Sequence, residues 1–439
     1  MRTKLVLSPL TVSLSLGLLG CPSPDTGSGD EYDGVGLTTT GPDSESSDES
    51  GSSSSDDATT GPTTTSDSSD SSSSDSNSSS ESADGGLKFD LTPVPDGGMG
   101  TGGEMGIPED CNTAAAIASS VGCLFFGLDL DNQGSAGDMQ QYGIIVSNVQ
   151  TDQPAMATVE SKQNGVWMQV QSQVIQPLDS YAFQLPDNHQ EDTGIKTDLG
   201  TYRVTTDVPV VAYQFNPLDG SASYTTDASL LYPVPSWDYL HEIVGYKVTI
   251  SAVSYIDIVA AVDGTAVQVV PSGPTLGGGG IPAGQANTPF FIMLDEGDVA
   301  HITSTTSANA TMTGTRVITD EDHPVGVFTA TECTNTGQGA CDHMEEMITG
   351  VRLWGMEFVA SRMPIRQDNS PEPVIWQIYA SEDDTVVTIT ASPEVTGLPA
   401  SPIAMNKGDM VEFSATGSVA NPGDFFVEAD KPIAVMSYL

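Results

Sequence analysis

One short pattern, an acid followed two residues later by a proline and then by an alternating β-branched and aromatic run, is present three times. The copies are Asp207–Phe215, Asp322–Ala330 and Asp430–Tyr438. Proline lacks an N–H and suits the start of a strand, while the alternation suits a half-buried strand. Another short apolar run precedes each copy, so we expect each copy to be the second strand of a hairpin. Recurrence of this kind indicates a repeat architecture.

The spacing of the pattern sets the size of the repeat. Its prolines, Pro209, Pro324 and Pro432, are separated by 115 and 108 residues. Other short runs of strand character recur in the same order between them. We therefore predict an all-β fold of three antiparallel units of about 110 residues, roughly 109–218, 219–332 and 333–439, built as tandem β-sandwiches. A six-bladed propeller-like ring with two blades in each unit is the alternative.

The N-terminus has the features of an export signal. Arg2 and Lys4 precede an apolar run, Leu5–Leu19, that is too short to span a bilayer. The run ends in Leu-Leu-Gly-Cys, which resembles the lipobox of bacterial lipoproteins. We expect residues 1–21 to be a lipoprotein signal peptide and Cys21 to carry the lipid, with an ordinary signal peptide as the alternative. The predicted location is the bacterial cell envelope, at an outer membrane and facing outward.

Residues 22–108 are dominated by Ser, Asp, Thr and Gly and hold few large apolar side chains. Such a segment cannot bury enough apolar surface to offset its ordering entropy, so we predict a disordered, acidic tether. The whole chain has a formal net charge of −46. A surface of this charge repels nucleic acid and anionic lipid, so nucleic acid is excluded as a partner and membrane contact is expected only through the N-terminal lipid.

Several motifs of the region after the tether point to a family. Asp129–Asn132, Asp227–Pro233, Cys341–His343 and the repeated Asp-x-Pro strand resemble the IgGFc-binding protein N-terminal domain family, over roughly 111–439. The resemblance implies a secreted or surface-displayed binding protein and carries over no catalytic residues. In the family the last strand is usually followed by more sequence, which leaves open that the natural protein continues beyond its last residue here.

Four cysteines remain once Cys21 is assigned to the lipid. They form two close pairs along the chain, Cys111 with Cys123 and Cys333 with Cys341. An exported protein meets an oxidising compartment, so we predict one local disulfide in each pair. A metal site is the alternative, but neither pair has the C-x-x-C spacing of common zinc sites.

A weak calcium site is the one cofactor that the sequence suggests. Asp129, Asp131 and Asn132 begin like an EF-hand loop. The pattern fails at Gln133, the fifth position, and at Gln140, which stands where the loop needs a bidentate glutamate. No other cofactor is expected.

Catalytic motifs are missing from the sequence. The five histidines are scattered, with no H-E-x-x-H motif, and no G-x-S-x-G nucleophile elbow occurs. We therefore predict that the protein is not an enzyme. A secreted hydrolase using scattered acidic residues is the alternative in a second class, and a structural envelope or matrix component is a third.

Recognition is expected in the long connections between units, 216–240 and 331–358, because ordered loops on a rigid β scaffold commonly carry binding sites. The leading hypothesis is a lipid-anchored, surface-displayed binding or adhesion protein that recognises an extracellular protein or glycan. These connections contain Trp237 and Trp354, and the alternative role for both is burial where units meet. The candidate binding residues are Trp237, Tyr239, Asp342, His343 and Trp354.

Overall fold

The computed structural model describes residues 106–218, 225–250, 252–337, 340–366 and 370–438. The predicted signal peptide, Cys21 and the tether up to residue 105 lie outside the described residues. Within the described residues the chain is mostly β, with two short α-helices, α1 (Cys111–Ala115) and α2 (Gly134–Asp138). Two 3₁₀ segments, Val234–Ser236 and Val351–Leu353, occupy the connections that lead into the second and third repeats.

The first repeat is a seven-stranded antiparallel arrangement organised around one long strand, β7. β3 and β1 flank the first half of β7, while β2 and β8 flank its second half. β4 continues beyond β3, and β5 continues beyond β2. The strands of this part of the chain are β1 (Gly122–Gly127), β2 (Gly143–Ser147), β3 (Ala155–Gln163), β4 (Val166–Ile175), β5 (Ser180–Gln184), β6 (Gly194–Lys196), β7 (Tyr202–Asn216) and β8 (Asp227–Leu231).

The second repeat has the same order of strands divided between two sheets. One sheet runs β16-β15-β10-β13-β6, so β6 from the first repeat joins it, and the other runs β12-β11-β14-β9. The strands are β9 (Leu240–Glu242), β10 (Ser254–Ala260), β11 (Thr265–Val270), β12 (Phe290–Leu294), β13 (Val299–Thr303), β14 (Arg316–Ile318), β15 (Val325–Thr334) and β16 (Asp342–Ile348).

The third repeat again centres on one long strand, β22, in a sheet of order β20-β19-β22-β18-β21 with β17 also pairing to β22. Its first half pairs with β19 and β17, and its second half pairs with β18. The strands are β17 (Gly355–Ala360), β18 (Val374–Ala380), β19 (Thr385–Ala391), β20 (Ile403–Met405), β21 (Met410–Ala415) and β22 (Phe425–Tyr438).

The repeated Asp-x-Pro pattern marks the point where the long strand changes partners. β7 and β22 are continuous through it, and β14 and β15 pair with different strands, so the predicted hairpin is wrong. Proline fits this corner because one ladder ends there and a lost N–H donor breaks no pairing. The acid has a structural role as well, since Asp207 Oδ1 accepts from the Met156 N–H at 2.7 Å and Asp430 Oδ1 accepts from the Val386 N–H at 2.8 Å.

Each repeat encloses a hydrophobic core between the two halves of its β structure. In the second repeat, Ile256 and Ile258 of β10 face Val267 and Val269 of β11, and all four are fully buried. Burying one such side chain contributes about 1.5–3 kcal/mol. The core of the first repeat extends into the second through residues such as Phe328. The prediction of an all-β fold of tandem β-sandwiches is confirmed.

Candidate functional site

The junction of the first two repeats is formed by β8 and β16, which lie side by side and are joined through side chains. The Glu345 N–H of β16 donates to Asp227 Oδ2 at 2.8 Å, and the Met347 N–H donates to Ser229 Oγ at 2.7 Å. Side-chain oxygens of β8 thus replace the carbonyl groups that a neighbouring strand would supply. The two edges are held at a fixed spacing, which positions the side chains beside them.

Beneath this junction lies a buried polar network. Glu345 Oε1 accepts a hydrogen bond from Gln214 Nε2 at 3.1 Å, and Glu345 Oε2 lies 3.3 Å from His343 Nε2. Gln214 is itself fixed, since its Oε1 accepts from the Leu128 N–H at 3.0 Å. Buried carboxyl groups are usually hydrogen-bonded, and the Glu345 carboxyl has two polar partners here, Gln214 and His343.

Burial sets the protonation of the network. It raises the pKa of Glu345 well above the ordinary value for a glutamate, and it lowers the pKa of His343. The pKa of Asp227 rises to about 6, because burial and the neighbouring Glu345 both oppose ionisation. Burial therefore disfavours the charged forms of both Glu345 and His343.

Two adjoining cavities open above the network and run between β16 and β22. The first has a volume of about 410 Å³ and touches all three repeats, being lined by parts of β8, β15 and β16 and by Met436–Tyr438 of β22. The second has a volume of about 370 Å³ and is lined by Glu346–Thr349 and Ile433–Ser437. Glu346 and Met436 line both. We call the pair the β16–β22 groove.

The two ends of the β16–β22 groove differ in chemistry. The first cavity contains the acids Asp227, Asp342, Glu345 and Glu346, and Arg366 is the one cationic side chain among its lining residues. Burial raises the pKa of Glu346, and its acidic neighbours Asp227 and Glu345 raise it further. The second cavity is lined largely by apolar and aromatic side chains, including Trp354 and Phe358. The groove thus offers an acidic end and an apolar end.

The structure brings together three of the five candidate binding residues. Asp342 and His343 line the first cavity, and Trp354 lines the second. Trp354 is half-buried, and its Nε1 donates to the Thr349 carbonyl at 3.3 Å.

The other two candidates lie elsewhere. Trp237 is 4% exposed, packs against Phe126 with ring centroids 5.5 Å apart, and donates from Nε1 to the Tyr232 carbonyl. Tyr239 is half-buried and outside both cavities. Their roles in binding stay predictions.

The wall supplied by β22 was missed by sequence reasoning. It is made by residues 433–438, together with Tyr246 from the loop after β9, whose ring lies 4.8 Å from that of Tyr438. The sequence signal that could have indicated it is the mixture of small, polar and apolar residues in the second half of the last Asp-x-Pro copy, at 433–438. The partner across the groove lies in another repeat, so no local pattern predicts it.

The three calcium candidates do not converge. Asp129 Oδ2 accepts from the Asn188 N–H at 2.8 Å, and Asn132 Nδ2 donates to backbone carbonyls, one of them Asn216 at 3.4 Å. Asp131 instead faces Glu332.

A different group has metal-ligating side chains close together. Ligand atoms of Asp138, His189 and Glu191 all lie within 4.8 Å of one another. His189 Nδ1 also lies 2.6 Å from Asp187 Oδ1. These residues come from α2 and from the connection between β5 and β6, which the sequence pattern did not connect.

Both predicted disulfides are present. Cys111–Cys123 links α1 to β1, and Cys333–Cys341 closes the connection between β15 and β16. The second bond lies next to Asp342 and so restrains the chain where it enters the groove wall. Among the described residues, no helix has the length and apolar character needed to cross a bilayer.

Comparison with known proteins bears on the region that holds the groove. Residues 227–439 match the model of the IgGFc binding protein family. This region belongs to that family. The matched range begins at the first residue of β8 and includes all of β16 and β22, so the walls of the β16–β22 groove lie within the IgGFc binding protein region. No curated protein and no solved structure matches the chain. The resemblance inferred from the motifs is confirmed over this range.

Proposed function

We propose that the protein is a lipid-anchored, surface-displayed binding protein that recognises an extracellular protein through the β16–β22 groove. The observation that carries the proposal is the groove itself: two adjoining cavities of about 410 and 370 Å³, bounded by strands from all three repeats. Concave sites with a few polar groups among apolar walls are typical ligand sites. The family match supports binding in general, and its name supports a protein partner.

The side chains that line the groove indicate which kind of partner segment would fit it. Acids at one end favour a lysine or arginine side chain, whose charge would be paired by the exposed Asp342. The apolar end favours an aliphatic or aromatic side chain against Trp354 and Phe358. A partner segment that presents a basic residue beside an apolar one fits both. Because the contacts are charged at one end, added salt is expected to weaken binding.

The proposal of a lipid anchor rests on the order of the segments along the sequence. A lipobox-like sequence ending at Cys21 precedes a long acidic segment rich in Ser and Asp, and the β repeats follow. A lipid on Cys21 would hold the repeats at the cell envelope while the segment gives them reach.

The test is binding of the purified chain to immobilised extracellular proteins, including the Fc fragment of immunoglobulin G, and to a set of glycans. Asp342→Lys and Trp354→Ala change the two ends of the groove, and we expect each to weaken protein binding about tenfold or more, as loss of a central contact does. Phe291→Ser is the matched control, because Phe291 is 65% exposed on β12 and lines neither cavity.

Unchanged affinity in both groove variants would place the site elsewhere. Binding of glycans with no protein bound would replace the protein partner by a carbohydrate. Turnover of a glycosidic or peptide substrate by the same preparation would favour the hydrolase alternative. A chain that binds no protein or glycan, turns over no substrate and assembles with itself would favour the alternative of a structural envelope or matrix component.

A further inference from the structure

The second half of β22 has an open edge where the other two repeats have a strand. After Pro209, β7 is flanked by β2 on one side and by β8 on the other. After Pro324, β15 is flanked in the same way by β10 and β16. After Pro432, β22 pairs with β18 on one side, and among the described residues no strand pairs with its other edge beyond Ile433. One position of the repeat pattern is therefore open.

The strands that hold this position in the other repeats share one register, and both run antiparallel to the long strand. In the first repeat, Leu231 of β8 lies opposite Ala212 of β7. In the second repeat, Ile348 of β16 lies opposite Val327 of β15. Ala212 and Val327 each stand three residues after the repeated proline, as Val435 does in β22. A strand added at the open position in this register would place an apolar residue opposite Val435.

Backbone groups of β22 are directed out of the sheet at this edge. The Ala380 N–H of β18 donates to the carbonyl of the residue before β21 at 3.1 Å, so the backbone groups of Ala380 point away from β22. Backbone groups alternate in direction along a strand, so Tyr379 and its partner Ala434 point toward each other. By the same alternation, the N–H and C=O groups of Val435 and Ser437 point away from β18. They are in the right direction to pair with an added strand.

The open edge borders the β16–β22 groove. Every residue from 433 to 438 lines at least one of the two cavities. A strand that met the groove with one face would contribute alternate residues only, so an unbroken run indicates that the groove meets the strand along its edge. Val435 is half-buried, whereas Ala212 and Val327 at the same position of the repeat are fully buried. A ligand can therefore reach this edge where its counterparts are covered.

We propose that the partner protein binds the β16–β22 groove by adding one extended segment to β22 as an antiparallel strand. The inference rests on the proposed groove function and states how the partner is held. Main-chain hydrogen bonds to Val435 and Ser437 give affinity, and the side chains that line the cavities give selectivity. Antiparallel pairing also fixes the direction of the segment. It enters beside Tyr438, at the acidic end, and leaves beside Ile433, at the apolar end.

Charge favours a segment of another protein over a second copy of this chain. The acidic end of the groove suits basic residues, and the direction of pairing places them before the apolar residues of the segment. The strands that hold this position elsewhere are also polar first and apolar last, but they contain the acids Asp227, Glu345 and Glu346. A formal net charge of −46 further opposes the approach of a second copy. The occupant is thus an extended segment in which basic residues precede apolar ones.

The test uses the full chain and a labelled, capped peptide in which two lysines precede two leucines between terminal threonines. We expect saturable binding in fluorescence anisotropy, and binding weaker by about tenfold or more when the leucines precede the lysines. Two N-methylated peptides form a matched pair. The N–H of the second leucine faces Val435, and its methylation should weaken binding about tenfold or more. The N–H of the first leucine points the other way, and its methylation should change binding by less than about twofold.

Two variants of the chain test the same edge. Ser437→Pro removes one outward N–H without taking a hydrogen bond from β18, and should weaken peptide binding by about tenfold or more. Ser437→Ala is the matched control, because it keeps the N–H and loses only an exposed hydroxyl, so its binding should equal that of the wild type. If Ser437→Pro does not fold, the two methylated peptides on the wild-type chain decide the question.

The outcomes separate strand pairing from the proposed groove function. Equal affinity of the two methylated peptides, or no binding of the parent peptide, would overturn the strand pairing. The groove function would still stand if Asp342→Lys and Trp354→Ala weaken binding of the partner protein. Methylated peptides that differ as expected, together with partner affinity unchanged in both groove variants, would support the strand site and refute the groove function. Self-association of the chain that the peptide displaces would overturn the choice of occupant in favour of a second copy.

Discussion

Asp129 makes the stability of the folded region depend on pH in an unusual direction. The side chain is 3% exposed, and burial raises its pKa from 3.8 to about 7. Its Oδ2 accepts the Asn188 N–H, Asp187 opposes its ionisation, and His189 and Lys196 favour it. The folded chain thus keeps a proton that the unfolded chain releases. Stability from this group is present below pH 4 and is lost as pH rises to about 7.

The replacement Asp129→Asn tests this. Asparagine keeps an oxygen that can accept the Asn188 N–H but carries no charge. The pKa shift from 3.8 to about 7 corresponds to at most about 4 kcal/mol, at 1.36 kcal/mol for each pH unit. We expect the variant to be close to the wild type at pH 4 and to exceed it in free energy of unfolding by a few kcal/mol at pH 8.

The assay is urea unfolding of both proteins at several pH values from 4 to 8, followed by tryptophan fluorescence. Between pH 4.5 and 6.5 the slope of the free energy of unfolding against pH should be less negative in Asp129→Asn by up to about 1.4 kcal/mol per unit. Asp263→Asn is the matched control, because Asp263 is an exposed turn residue. Equal slopes in wild type and Asp129→Asn would refute the reasoning.

Three further predictions concern the anchor, the disulfides and the tryptophans. Cys21→Ser should move the exported protein from the membrane fraction to the soluble one, as judged by cell fractionation. Cys123→Ser and Cys341→Ser should each lower the free energy of unfolding by roughly 2–3 kcal/mol in denaturant titrations, because each frees a short closed loop. Trp237→Ala should cost about 3–5 kcal/mol of stability as a core truncation, while Trp354→Ala should change the Tm less and ligand affinity more.

The repeat architecture could be predicted from the sequence because the Asp-x-Pro pattern is local. Three copies at similar spacing indicated three units and an all-β fold. The same pattern led to a wrong hairpin, because alternation on either side of Pro209 or Pro432 is identical whether the chain reverses or continues. Which sheet each half of β7 or β22 joins is decided by distant strands.

Only the β16 wall of the β16–β22 groove could be predicted from the sequence, because its residues lie close together in the chain. Asp342 and His343 follow a disulfide loop rich in polar residues, and both line the groove. Trp237 has the same local character but fills a core, because burial depends on Phe126 and not on neighbours in sequence. His301 is an ordinary strand residue in sequence, and only the packing of two repeats brings its Nε2 within 4.0 Å of Asp131 Oδ2.

The long strands also determine how the molecule would resist a pulling force. A pull on the C-terminal end of β22 acts along a strand that is held by β18 over one half and by β17 and β19 over the other. Hydrogen bonds loaded along the strand axis in this way must break together, instead of one after another as when a hairpin is peeled apart. The first and third repeats, which each have such a strand, are therefore expected to yield in a single mechanical event, at a higher force than the second repeat, whose two sheets have no strand in common.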